Sequence, residues 1–166
     1  MTKKEMIGLW EKYCPFVDVA KDYIANWAQE TPVEYCEYYD SGAIKFEGHG
    51  VPDRESQSQK GNPKFIRYGE GKSYYEDGTI KEEGFFQLAG LLFGRSYYPS
   101  GALKFEGKYN DKQHGHGTYY GPSYPVYGRF YSEKGKLKYE GEFKIIHQGN
   151  VGYPKVIYPE GFPSLT

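Results

Sequence analysis

Residues 94–107 read GRSYYPSGALKFEG, and the same fourteen-residue pattern, G-[KR]-x-Y-x-x-x-G-x-[IL]-K-x-E-G, recurs at 71–84 (GKSYYEDGTIKEEG) and 128–141 (GRFYSEKGKLKYEG). A further copy, the first along the chain, at 35–48 (YCEYYDSGAIKFEG) lacks only the leading Gly and its basic neighbour. The copies align without gaps. Self-similarity at this scale fixes the architecture before any single residue is weighed. It also argues against catalysis, because a residue present in every copy belongs first to the scaffold.

Each copy reads as a β-hairpin. A Tyr-rich strand enters a turn with a central Gly at Gly42, Gly78, Gly101 or Gly135, a position suited to left-handed backbone in a short hairpin loop. The return strand alternates. A period of two places Ile44 and Phe46 on one side and Lys45 and Glu47 on the other, with Ile80, Leu103 and Phe105, and Leu137 and Tyr139 continuing the apolar row. With a four-residue loop, Tyr39, Tyr75 and Tyr98 fall beside the apolar row. Tyr38, Tyr74, Tyr97 and Tyr131 then fall beside the lysines and glutamates. The connections between copies differ: 53–63 (DRESQSQKGNP) is polar, and 107–120 resembles an incomplete hairpin. A degenerate fifth unit, IYPEG at 157–161, is expected to close the array.

The first thirty residues contain no copy. Met6, Trp10, Tyr13, Val17, Ala20, Ile24 and Trp27 follow alternating steps of four and three, the stripe of an apolar helix face. Thr2 and Glu5 form a capping box, and Pro15 predicts a break near residues 14–18. The expected architecture is therefore mainly β: an elongated, twisted, antiparallel single-layer sheet of repeated hairpins (33–166), with an N-terminal helical cap (1–32) covering Ile44 and Phe46. Together they form one domain.

Composition sets further bounds. Leu, Ile, Val and Phe make up only 32 of 166 residues, whereas Tyr alone numbers 19. Tyrosine rings bury well while their hydroxyls tolerate water, which suits a thin structure. A net charge of −1 argues against a nucleic-acid binder, which needs a basic field. Two cysteines, Cys14 and Cys36, make a weak case for a disulfide framework, and no apolar run reaches signal-peptide or membrane-spanning length. The expectation is a cytoplasmic protein with reduced thiols.

Candidate chemistry is thin. His114 and His116 form an H-x-H pair but lack a third ligand nearby in sequence, so no metal is expected. The recurring Glu47, Glu83, Glu106 and Glu140 read more simply as a solvated charge row than as paired acids. Neither G-x-G element precedes a helical pattern, so neither is a phosphate loop. No cofactor is implied. The best candidate is a face: Tyr38, Tyr74, Tyr97 and Tyr131 beside Lys45, Lys81, Lys104 and Lys138, as a protein-recognition surface. The plainer reading is that these tyrosines pack on neighbouring-strand glycines and stabilise the sheet.

The segment YYPSGALKFEGKY at 97–109, together with the GKY, HGHG and YY elements at 107–120, resembles the MORN repeat (membrane occupation and recognition nexus), in particular its bacterial, antitoxin-like variant. The resemblance spans roughly residues 35–161. It implies a single-layer sheet and a non-enzymatic role: docking a protein partner, with a toxin neutralised by an antitoxin or immunity protein as one form. The alternative it implies is peripheral membrane or phosphoinositide binding. The one-for-one match of repeated Lys by repeated Glu weighs against that alternative.

Overall fold

The computed structural model describes residues 2–16, 31–53, 64–88, 90–114, 117–118, 123–146 and 155–158. Its first element, α1 (Lys3–Tyr13), starts at Thr2, whose side chain accepts from the Glu5 amide while Glu5 reaches back to the Thr2 amide, completing the capping box. The helix stops at Cys14, just before Pro15, as the missing amide hydrogen of proline requires. The remainder of the predicted stripe, Val17 to Trp27, lies outside the described residues.

Eight strands form one open antiparallel sheet in the order β1 (Val33–Tyr38), β2 (Ile44–Pro52), β3 (Phe65–Tyr74), β4 (Ile80–Gln87), β5 (Gly90–Tyr97), β6 (Leu103–Tyr109), β9 (Pro125–Tyr131), β10 (Leu137–Glu142). The chain leaves this sheet between β6 and β9, where β7 (Gln113–His114) and β8 (Gly117–Thr118) pair only with each other. The expected incomplete hairpin is thus present but detached. The fifth unit does not close the array: Ile157 belongs to β12 (Lys155–Ile157), which pairs with β11 (Lys144–Ile146) in a separate two-stranded sheet.

The four hairpin turns lie where the central glycines predict. Gly42, Gly78, Gly101 and Gly135 have φ of 92°, 93°, 93° and 88°, a left-handed conformation that a side chain disfavours. Their geometry is a three-residue loop: Gly101 N–H donates to Tyr98 O, and Tyr98 N–H donates to Ala102 O, both at 2.9 Å. The loop is one residue shorter than the sequence reading assumed, and an extra residue enters the return strand instead.

That extra residue is the repeat lysine. The register runs Glu37↔Phe46 then Tyr38↔Ile44, Ser73↔Glu82 then Tyr74↔Ile80, Ser96↔Phe105 then Tyr97↔Leu103, and Phe130↔Tyr139 then Tyr131↔Leu137. Lys45, Lys81, Lys104 and Lys138 are skipped in every copy, each forming a β-bulge. Facing residues of paired strands share a side, so Ile44 shares a side with Tyr38 rather than with Phe46. The bulge overturns the strict alternation read from sequence: Ile44, Ile80, Leu103 and Leu137 stand with the glutamates, and the lysines stand with the phenylalanines.

Both faces of the sheet carry a core. On one, Met6, Trp10, Tyr13 and Cys14 pack with Val51, Tyr68, Phe85, Leu92 and Phe93; Trp10 meets Phe93 edge-on at 5.0 Å. On the other, Phe46, Phe86, Leu91, Phe105, Tyr109 and Phe130 pack with Phe143 and Val156 from the C-terminal segment. The helical cap therefore does not cover Ile44 and Phe46. Phe46 sits in the opposite core, and Ile44 is 41% exposed. Across the middle of the sheet runs a belt of facing glycines, Gly48–Gly71–Gly84–Gly94–Gly107–Gly128–Gly141, one on every strand of the sheet except β1, where Tyr35 faces Gly48.

One buried charge lies outside the repeats. Lys112, 1% exposed, donates from Nζ to Leu91 O (2.7 Å) and Asn110 O (3.1 Å), and its amide donates to Gln87 Oε1 (2.6 Å). It fastens the start of the β6–β9 connection to the end of the β4–β5 hairpin. Burial pushes its pKa down to about 7. Between about 7 and 10.5 the unfolded chain keeps a proton there that the folded chain has released. Raising the pH through that window therefore stabilises the fold. The difference in unfolding free energy between wild type and Lys112→Met, measured by urea denaturation at neutral pH and again at about pH 9, should move in favour of wild type at the higher pH.

Candidate functional site

The face that carries α1 is built from three transverse rows. Nearest the helix lie Glu70, Phe85 and Phe93. Lys12 Nζ and Tyr13 Oη both donate to Glu70 Oε2, at 2.8 and 2.7 Å, fixing the helix across the strands. These two donors hold the Glu70 carboxyl below the usual range against the opposing effect of burial. The Arg95 guanidinium lies 5.4 Å over the Tyr13 ring and donates to Lys12 O at 3.1 Å, while Arg129 lies 4.1 Å over Phe16.

The second row is a charge ladder. Reading across the sheet, the facing residues are Glu47, Lys72, Glu83, Arg95, Glu106, Arg129 and Glu140. Arg95 lies 3.4 Å from Glu83 and 3.7 Å from Glu106; Arg129 lies 3.8 Å from Glu106 and 3.1 Å from Glu140. The cations are thus the second residue of the motif, not the repeat lysines. Opposite charges facing one another across strands stabilise the register, where like charges would oppose it.

The third row, nearest the turns, pairs each motif tyrosine with an aliphatic residue: Tyr38 with Ile44, Tyr74 with Ile80, Tyr97 with Leu103, Tyr131 with Leu137. Three of these tyrosines reach back to the glutamate of the preceding copy. Tyr97 Oη donates to Glu83 at 2.5 Å, Tyr131 Oη to Glu106 at 2.8 Å, and Tyr74 Oη to Glu47. Burial and the carboxylate that accepts each hydroxyl together push the Tyr74 hydroxyl up to about 12 and raise those of Tyr97 and Tyr131. Tyr38, in the first copy, has no preceding copy to reach and is 62% exposed.

The other face carries the remaining half of the predicted surface. Lys45, Lys81 and Lys104 stack over Tyr39, Tyr75 and Tyr98, their ammonium groups 5.6, 5.8 and 5.5 Å from the ring centroids. Those tyrosines donate forward to the next copy: Tyr39 Oη to Tyr74 O, Tyr75 Oη to Tyr97 O, Tyr98 Oη to Tyr131 O, at 2.6, 2.8 and 2.8 Å. The fourth copy has Ser132 at that position and no following hairpin of the sheet to meet. The proposed surface of Tyr38, Tyr74, Tyr97 and Tyr131 with Lys45, Lys81, Lys104 and Lys138 is therefore divided: the bulge puts the lysines beside the other set of tyrosines.

Each junction between copies is tied by one tyrosine reaching forward and one reaching back, so the two interior copies use both of their adjacent tyrosines, Tyr74 with Tyr75 and Tyr97 with Tyr98. Residues 67–88, 94–111 and 128–144 match the MORN repeat variant. MORN repeats are present. The copy at 35–48 lies outside the matched spans, and no curated protein and no solved structure shows a significant match to the chain. In the MORN copies the aligned Gly, Glu and Tyr residues have scaffold roles: belt, ladder and stitch. Sequence reasoning missed the ladder's cations, although the [KR] after each leading Gly was their signal.

Among the described residues, no group of three or more His, Cys, Asp and Glu is placed to hold a metal ion, and no helix is long and apolar enough to cross a membrane. Cys14 is buried, which pushes its thiol up to about 12 and away from nucleophilic reactivity, and Cys36 is exposed and free.

Proposed function

We propose that this chain is a non-enzymatic protein-binding module that docks its partner along the tyrosine–aliphatic row. The observation that carries the reading is exposure on a rigid base. Tyr38, Ile44 and Leu137 are 62%, 41% and 46% exposed, in a row whose other tyrosines are hydrogen-bonded into the sheet. Pre-ordered aromatic and aliphatic side chains beside a neutralised charge ladder lose little entropy on binding. The finer form, an antitoxin or immunity protein whose partner is a toxin, has the resemblance of its repeats as its support.

The test is a titration against a partner captured from the native host. Tyr38→Ser with Leu137→Ser should weaken binding by about a thousandfold, since each interface hot spot is worth at least about 2 kcal/mol. Lys45→Ser, on the opposite face, should leave affinity unchanged. Wild-type affinity in the double variant would remove the row as the site.

The second reading, contact with an anionic membrane surface, has one observation in its favour: Lys45, Lys81 and Lys104 stand in one row. Glu82 stands on the same face, facing Ser73, and dilutes its field, while Glu37 there is already paired with Arg67. Binding to vesicles containing phosphatidylserine that falls with salt and with Lys81→Ala would favour it.

A further inference from the structure

Between the turns of the first two hairpins, the tyrosine–aliphatic row opens into a groove of about 390 Å³. Its apolar lining is Ala43, Ile44 and the ring of Tyr74; its polar lining is Glu47, Glu76 and Asp77, with no basic residue. The pair of turn carboxylates is not repeated in the later copies. In the third copy the counterparts of Glu76 and Asp77 are Pro99 and Ser100, and in the fourth they are Glu133 and Lys134. The ladder makes the same distinction. Glu83 and Glu106 are neutralised by Arg95 and Arg129. Glu47 faces Lys72 across β2 and β3 but is in no ion pair among the described residues, and its carboxylate accepts the Tyr74 hydroxyl. Asp77 accepts the Thr79 amide at 2.9 Å, which holds its carboxyl below the usual range and keeps it charged.

An apolar floor under three clustered carboxylates, outnumbering the one cation that faces them, is complementary to one kind of side chain: a long aliphatic stem with a cationic head. Building on the docking reading above, we propose that this groove receives an arginine or lysine side chain of the protein partner. The stem lies over Ile44 and the Tyr74 ring, and the head lies among Glu47, Glu76 and Asp77. The first two copies thereby select the partner by charge, and the rest of the row supplies apolar contact.

The probe is the blocked dipeptide leucyl-arginine amide, titrated into the full ¹⁵N-labelled chain, with leucyl-citrulline amide as its neutral isostere. The amide signals of Ala43, Ile44 and Gly78 should shift saturably with a midpoint on the order of 1 mM for the arginine form. They should stay put for the citrulline form and in the Glu47→Gln, Glu76→Gln variant, whose remaining spectrum should be unchanged. Equal shifts for both dipeptides, no shifts, or shifts that survive in the variant would each overturn the assignment. Against the captured partner, the same variant should lose about tenfold or more in affinity. Full affinity there, with loss in Tyr38→Ser, Leu137→Ser, would overturn the basic side chain while leaving the docking row in place.

Discussion

Gly107→Val is expected to destabilise the protein by on the order of 3–5 kcal/mol, a large part of the stability of a domain this size. Gly107 sits in the glycine belt at φ 158°, and a Cβ there would lie 2.2 Å from Tyr127 O and 2.6 Å from the Gly128 Cα. Both neighbours are backbone, so relief requires moving β9 away from β6 and breaking the ladder that spans them. Gly101→Val sets the comparison. It has open space, with only a Thr79 methyl at 4.0 Å, but a φ of 93°, so its cost is the backbone strain alone, about 1–3 kcal/mol. Lys104→Ala removes a cation stacked on Tyr98 and should cost about 1 kcal/mol or less. Urea denaturation of the three variants should give the order Gly107, Gly101, Lys104. A Gly107 variant no worse than the Gly101 variant would mean that the strands are not held that close.

The second large effect is expected at the helix. Trp10 is buried against Phe93 on a sheet one layer thick, so Trp10→Ala leaves a cavity that no second layer can fill. The expected cost is about 3–5 kcal/mol. Removing residues 1–16 would also uncover Phe85, Leu92 and Phe93 together, and the product should aggregate or fail to fold. A soluble truncation with an unchanged melting temperature would show that the helix is an appendage.

The hairpins and their turns were legible in the sequence because their causes are local. A glycine at the left-handed position and a Tyr-rich run before it fix the loop whatever surrounds it. The helix start at Thr2 and stop at Cys14 were legible for the same reason. What could not be read was which side each return-strand residue faces. Period-two alternation makes Ile44 and Phe46 companions, and only the register reveals the bulge at Lys45 that separates them. The target of the helix was hidden likewise. Phe85 and Phe86 are adjacent and equally apolar, yet they enter opposite cores, and a further bulge turns Leu92 to the helix side. The ladder needed the register too, since Lys72 and Glu83 are eleven positions apart but face one another. The acidic groove draws on Ile44 and Glu47 from one copy and Glu76 and Asp77 from the next, and neither copy shows it alone.

The partner is proposed to dock on the tyrosine–aliphatic row and not on the lysine row behind it. Leu103 and Lys104 are neighbours in sequence on opposite sides of the sheet, the one facing Tyr97 and the other over Tyr98. A photoreactive benzoylphenylalanine placed at each position in turn, irradiated with the captured partner bound, separates the two faces directly. A covalent adduct is expected from position 103 and none from position 104. An adduct from 104 with none from 103 would contradict this docking.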